Sequence, residues 1–273
     1  MEVTILDKKR TIVGDGFNFY VKIKAKVNPD NLEEMVKKVK DKSVVDDYKK
    51  IQADYDKSQR EIEELKKQLA QAKNEGQKKQ VEAKITNEDK RFQAIDWFEK
   101  GYQHGLNKEH DSAIEAYTNA IALDPNNAAA YNNRGNAYYN KGQYDRAIED
   151  FNKAIVLDPN NAFAYNNRGN AYDDKKQYDR AIEDYNKAIA LDPNYTNAYN
   201  GRGNAYDNKG QHDRAIEDFN KAIALNPNLA QAYYNRGVVY YSKGQNDRAI
   251  SDFQKACDMG YENGCKNLKI LKK

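Results

Sequence analysis

Residues Ala130–Tyr138 read AYNNRGNAY; the same nine residues return at Ala164–Tyr172, and AYNGRGNAY follows at Ala198–Tyr206. Tyr131, Tyr165 and Tyr199 are each 34 residues apart, so one structural unit is copied along the chain. With Gly135 as position 8 of the frame, five units fall at 94–127, 128–161, 162–195, 196–229 and 230–263. Position 4 is aromatic (Trp97, Tyr131, Tyr165, Tyr199, Tyr233), and position 8 is glycine (Gly101, Gly135, Gly169, Gly203, Gly237). Positions 20 and 27 are alanine throughout, and position 24 is Tyr117, Phe151, Tyr185, Phe219 and Phe253. Pro125, Pro159, Pro193 and Pro227 close the first four units. Small residues stand where two helices of a unit must approach closely, aromatic rings fill the space beside them, and proline stops the second helix. A single helical pair cannot bury its own apolar face, so the units must stack.

The composition agrees. Hydrophobic residues make up 39% and charged residues 32%, with mean hydropathy −1.05, which is too polar for one large core and suits a thin stack. The net charge of +3 divides into +4 over residues 1–93 and −1 over 94–273, so nothing demands nucleic acid or an anionic membrane. No run approaches the roughly 18 apolar residues of a membrane span. The start, MEVTILDKKRT, lacks the apolar run of a secretory signal.

Before the units, Phe17, Phe19, Val21, Ile23, Ala25 and Val27 alternate with polar residues, which predicts a half-buried strand turning at Gly14-Asp15-Gly16 into a hairpin. Leu32, Met35, Val36 and Val39 mark a short helix that completes a segment over 1–43. Two strands and a helix bury too little to stand alone, so more chain upstream, or a partner, is expected. Over 44–93 a heptad seam follows: Tyr48, Ile51, Tyr55, Ser58, Ile62, Leu65, Leu69 and Ala72. It can pair two copies of the chain through residues 44–75, or it belongs to one amphipathic helix lying on the first unit. A separate polar helix is expected over 77–92.

The unit pattern resembles the tetratricopeptide repeat (TPR) over about two thirds of the chain. The resemblance implies a right-handed solenoid over 94–263, closed by a capping helix over 264–273; with the coiled-coil or helical segment and the β-hairpin in front, the chain reads as mainly α. Position 7 departs from the family's usual leucine, with Arg134, Arg168, Arg202 and Arg236, and position 23 carries Asp150, Asp184, Asp218 and Asp252. Unit one lacks both, having Lys100 and Ala116, and this joint loss suggests Arg–carboxylate pairs within or between units. The alternative is arginines free to grip an anionic ligand.

The resemblance also implies that first-helix positions 2, 5, 6, 9, 12 and 13 line an inner groove. Those positions hold Asn132, Asn133, Asn136, Asn166, Asn167, Asn170, Asn200, Asn204 and Asn235, flanked by Tyr139, Tyr241, Asp173, Asp174 and Asp207. An amide both donates and accepts, so it can pair with a peptide backbone without reading side chains. Asparagine is a mediocre helix former, so its density is not explained by helix stability. The arrangement resembles the asparagine ladder of O-linked N-acetylglucosamine transferase, which holds extended polypeptide; nothing resembles that enzyme's catalytic domain. It differs from the carboxylate-clamp class, whose cations are replaced by Asn132, Asn197 and Gly201. The plain alternative is recently duplicated units carrying neutral solvent-facing residues.

Cys257 and Cys265, in ACDMGYENGC, have the spacing that bridges consecutive helices in SEL-like relatives of the repeat. A bridge implies an oxidising compartment; the alternative is a reduced, cytosolic pair. Residues 3–27 resemble part of a small domain of exported bacterial proteins. That resemblance implies a periplasmic or secreted protein with Met1 at a truncation point. No triad, phosphate-binding glycine loop or metal-ligand spacing is present, so neither enzyme activity, cofactor nor metal is expected. Asp173, Asp174 and Asp207, the nearest approach to a cation site, read as solvated helix surface. The expected function is an adaptor that binds a protein or extended peptide in the groove; the alternative is an oligomeriser in which grooves and coil bind further copies.

Overall fold

A computed structural model describes residues 42–271. The expected β-hairpin and its short helix lie outside the described residues. The chain divides into Met1–Ala53 and Asp54–Lys273; the described part of the first, 42–53, is helical, and the second holds the stack.

The described residues form twelve helices and no strand. α1 (Lys42–Gln71) and α2 (Glu75–Leu106) lead into α3 (His110–Leu123), α4 (Ala128–Asn140), α5 (Tyr144–Leu157) and α6 (Ala162–Asp174). Then come α7 (Tyr178–Leu191), α8 (Thr196–Asn208), α9 (His212–Leu225), α10 (Ala230–Ser242), α11 (Asn246–Asp258) and α12 (Glu262–Leu271). From α2 to α12 each helix packs on the next in sequence.

The N-terminal side differs from expectation in one respect. Residues 77–92 are not a separate helix: α2 continues through Ala94 into the first unit, because KRFQAI (90–95), which spans the expected boundary, contains no proline, glycine or other turn residue to stop it. Asn74 opens α2, its side chain accepting from the Gln77 amide at 2.9 Å, while the Gln77 side chain accepts from the Lys73 amide. Residues 54–71 of α1 then fold back antiparallel on α2. Tyr55 stacks 4.6 Å from Phe92, the Ser58 hydroxyl donates to Glu88, and Glu61 meets Arg91. Tyr55, Ser58 and Ile62 of the heptad seam are thereby buried within the chain.

Within each unit the helices touch at position 8. A Cβ on Gly135 would lie 2.7 Å from the Phe151 ring, and one on Gly203 2.7 Å from Phe219. No side chain fits, so the glycine is a packing requirement rather than a flexible joint. Ala147, Ala154, Ala181, Ala188, Ala215 and Ala222 are fully buried around these rings. The turn between helices puts Gly142, Gly210 and Gly244 at positive φ, with Lys108 and Lys176 in the same conformation where glycine is absent. The second turn, LDPNNA and its variants, is held by Asp124, Asp158 and Asp192 side chains accepting from the amide two residues on. Asn127 and Asn161 then cap α4 and α6.

Position 7 ties units together. Arg168 Nε and Nη2 donate to both oxygens of Asp184 at 2.8 and 2.6 Å, within the unit, and Nη1 donates to Asn152 of the preceding unit at 2.6 Å. Arg134 repeats this with Asp150 and Thr118, Arg202 with Asp218 and Asn186, and Arg236 with Asp252 and Asn220. Each guanidinium also lies over the position-4 tyrosine of its own unit, 5.5–5.6 Å from Tyr131, Tyr165, Tyr199 or Tyr233. All three nitrogens of each guanidinium thus donate to partners within the stack. A second tie, Lys141, Lys175, Lys209 and Lys243 to Asp111, Asp145, Asp179 and Asp213 of the preceding unit, is exposed and contributes little. At the far end Cys257 and Cys265 are joined, with Cα atoms 4.6 Å apart, and Gly264 and Leu268 of α12 cover Ala256 and Phe253.

Replacing Arg168 by Met strands a carboxylate, Asp184, that is only 5% exposed. The variant should lose about 3 kcal/mol, read as a melting temperature lower by on the order of 10 °C. Adding Asp184→Leu should recover most of the loss; equal melting of Arg168→Met and the native chain would remove the arginine from this role.

Candidate functional site

The first helices of neighbouring units (α2, α4, α6, α8, α10) contact one another more closely than the second helices do, which puts them on the inner side of the curve. The asparagines lie here, but not as one uniform row. Position 5 is turned into the stack: Asn166 is 4% exposed and Asn200 8%. Positions 6, 9 and 12 keep more surface, with Asn133, Asn136, Asn167, Asn170, Asn204, Asn235, Tyr139, Asp173 and Asp207 half-buried.

Position 5 of one unit bonds to position 6 of the next. Asn167 Nδ2 donates to Asn132 Oδ1 at 3.2 Å, and Asn235 Nδ2 donates to Asn200 Oδ1 at 3.2 Å. Within units, Asn132 and Asn166 donate to Asn133 and Asn167 at a long 3.4 Å. These amides therefore space the first helices as well as lining their surface, a role the sequence reading had not given them.

Among units two to five the ladder lacks one rung. Unit four has Gly201 at position 6, and Asn166 Oδ1, which would have met an amide there, is buried without a hydrogen-bond partner. The cause is Tyr185. A Cβ on Gly201 would lie 2.6 Å from the ring and 2.9 Å from the hydroxyl, so the tyrosine occupies the space of the missing side chain. Units two and four have phenylalanine at that place (Phe151, Phe219), and the following units have asparagine. The Tyr185 hydroxyl donates to Asn170 Oδ1 at 2.7 Å, fixing the position-9 amide beside the gap. Tyr185 and Gly201 were not among the expected site residues. Their signal was faint, because Tyr117 coexists with Asn133.

One helical turn beyond Asn170 stands Asp173. It is not the solvated aspartate expected from sequence. Burial lifts its carboxyl to about 6, Asn208 being its hydrogen-bond partner and Asp174 adding a like charge. Its Oδ1 is buried without a partner. Asp174 accepts from the Tyr139 hydroxyl at 2.5 Å, and burial, then this bond, hold that phenol well above its ordinary value. Asp207 pairs with His212 Nδ1 at 2.8 Å. His104 reaches Glu109 across the turn. Among the described residues no group of three or more His, Cys, Asp or Glu is placed to hold a metal, and no helix is long and apolar enough to cross a membrane.

Two outcomes follow from this geometry. Gly201→Asn should lower the melting temperature by forcing Tyr185 aside, at about 1–3 kcal/mol. Tyr185→Phe with Gly201→Asn should be more stable than Gly201→Asn alone, because it rebuilds the rung to Asn166; additive effects would refute the coupling. Asp173→Asn should melt higher than the native chain at pH 7.5. Because the folded-state value lies above the unfolded one, the cost of the charge is present above about pH 6 and fades as the pH falls toward 4. The gap in melting temperature should close over that window; a gap independent of pH would contradict it.

Comparison with known proteins bears on the stack. Tetratricopeptide repeat models match residues 128–161, 162–195 and 230–259, a TPR repeat model matches 106–142 and 208–244, and a further tetratricopeptide repeat model matches 184–217. The chain is similar to two crystal structures of MamA. One is 35% identical, with 60% of this chain and 95% of that one covered at a TM-score of 0.52; the other is 34% identical, with 61% and 91% covered at 0.53. A MamA fragment from Desulfovibrio magneticus RS-1, 24% identical over 62% of this chain and 96% of its own, shares the fold at a TM-score of 0.56. No curated protein matches the chain. With its glycine–aromatic contacts, its 34-residue frame and these matches taken together, the chain belongs to the tetratricopeptide repeat family.

Proposed function

We propose that the chain is a protein-interaction scaffold whose first-helix face, residues 128–242, holds an extended polypeptide. The observation that carries this reading is the amide ladder. Asn167 to Asn132 and Asn235 to Asn200 set the spacing of the first helices, while Asn133, Asn136, Asn170 and Asn204 remain half-open along the same face. Such amides offer donors and acceptors at the repeat spacing, which suits main-chain recognition and sets no preference for an apolar side chain. The arginines are committed to Asp150, Asp184, Asp218 and Asp252, so an acidic tail finds no cation to hold it. Binding rather than catalysis is the activity. The bridge between Cys257 and Cys265 supports work in an oxidising compartment, periplasmic or extracellular.

Self-assembly is the second reading, and it has its own support. Ile270 is 66% exposed on α12, at the end of the stack, so apolar surface is offered there to a further copy.

A peptide-display selection on the full chain tests the first reading. Enriched peptides should bind the native chain and lose about tenfold or more in affinity for an Asn136→Ala/Asn204→Ala variant that melts normally. No enrichment, together with mass growing with concentration in sedimentation and abolished by Ile270→Glu, would replace the groove with self-assembly.

A further inference from the structure

The last helix, α12, sits in the stack as a first helix does. Its Asn267 Nδ2 donates to the hydroxyl of Tyr234, position 5 of unit five, at 3.5 Å, just as Asn167 and Asn235 donate to position 5 of the units before them. Counted from Asn267 as position 6, Gly264 falls at position 3, where units two to five have the fully buried Ala130, Ala164, Ala198 and Ala232. Gly264 is buried as well, so close to α11 that a Cβ would lie 2.9 Å from that of Ala256. Leu271 falls at position 10 and packs on the cluster of Ala249 and Phe253. Ala171 joins Ala147 and Phe151 in the same way, and Val239 joins Ala215 and Phe219. In register and contacts α12 is a sixth first helix, and it carries the ladder one rung further along the inner face.

It differs from the other first helices in how it is held. Leu268 stands at position 7, so no guanidinium fork reaches back from α12 to unit five. Among the described residues its one ion pair, Lys266 to Glu262, stays within the helix. Only Gly264 and Leu268 are buried, the Asn267 bond is long, and α10 is otherwise met through the Tyr234 and Tyr261 rings, 5.1 Å apart. Ten residues with a glycine among them are too few to persist as a helix on propensity alone. The bridge from Cys257 to Cys265 supplies what is missing. By closing a loop of sequence separation 8 it favours the docked helix by about a hundredfold. Both cysteines are half-buried, which leaves a sulfur within reach of an attacking thiolate.

We propose that the Cys257–Cys265 bridge is a redox latch on the last wall of the groove: oxidised, it holds α12 in place, and reduced by a dithiol, it lets α12 leave and the end of unit five open. A thiolate of the dithiol attacks one sulfur, the S–S bond breaks, and the other cysteine departs as a thiolate and takes a proton. The second thiol of the reductant then resolves the mixed disulfide and frees the first cysteine. The bridge has gained two electrons and two protons, and the dithiol has become a disulfide. Phe253, 1% exposed, and Ala249, fully buried, lose the cover of Leu268 and Leu271, and the inner face loses the Asn267 rung. The latch stands on the contacts of α12 alone; that α12 walls a peptide site rests on the groove reading above.

The test uses the full chain, whose two cysteines are both in the bridge, so dithiothreitol has no other disulfide to act on. Hydrogen exchange read by mass spectrometry should show the amides of 262–271 exchanging about a hundredfold faster after reduction, with units two to four unchanged. Fluorescence of anilinonaphthalene sulfonate should rise severalfold as the end of unit five is uncovered. Cys257→Ser/Cys265→Ser should match the reduced chain with or without dithiothreitol, and reoxidation of the native chain should restore slow exchange. Unchanged exchange over 262–271 after complete reduction would overturn the latch, and so would acceleration spread evenly over all units, which would make the bridge a general stabiliser. A displayed library of random 12-residue peptides, panned on the oxidised chain, tests the wall: enriched clones should lose about tenfold in affinity for the reduced chain. Equal affinity for both forms would remove α12 from the groove and leave the latch standing. Absence of enrichment would overturn the groove reading, with the latch still decided by the exchange rates.

Discussion

The guanidinium fork at position 7 is the contact on which the stack depends. A solenoid has no central core, so each unit is held by its own helix pair and by its neighbours alone. Arg168 serves both needs at once, closing its own pair through Asp184 and reaching the preceding unit through Asn152. Only a planar, three-nitrogen head can make these bonds together, which is why a lysine at the same place could not replace it. The tyrosines at positions 4 and 11 flank the charge and limit its exposure, so much of the chain's tyrosine content serves this one contact.

The frame of the fold was open to reading because it repeats. Glycine at position 8 means the same thing five times, and a Cβ there meets an aromatic ring in every unit. The joint loss of arginine and aspartate from unit one was enough to suggest their pairing. Where a feature occurs once, the sequence was less informative. The continuous helix through 75–106 needed the absence of a stop signal to outweigh the expected unit boundary at 94. The burial of Asn166 and the raised carboxyl of Asp173 arise from what lies across the groove, which local periodicity does not encode.

Asparagine carries two roles on one face. Position 5 is spent on spacing, positions 6 and 9 stay partly open, and the division follows from the direction of the side chains rather than from their chemistry. The exchange of Phe for Tyr at 185 and of Asn for Gly at 201 then removes a rung at one joint only, breaking the symmetry that duplication gave the units.

Unit one and the cap are unlike each other, and the stack consequently has a direction. At its start Lys100 turns back to Asp96 and Trp97 of its own helix, so no fork closes the first helix pair, and the junction with unit two rests on the arginine of the later unit reaching Thr118. At its finish a covalent bridge ties α12 to α11. In a linear array with nearest-neighbour coupling, melting spreads from whichever terminus is least anchored. Where one end of such an array is closed by a covalent bridge, the helices it joins are the last to separate.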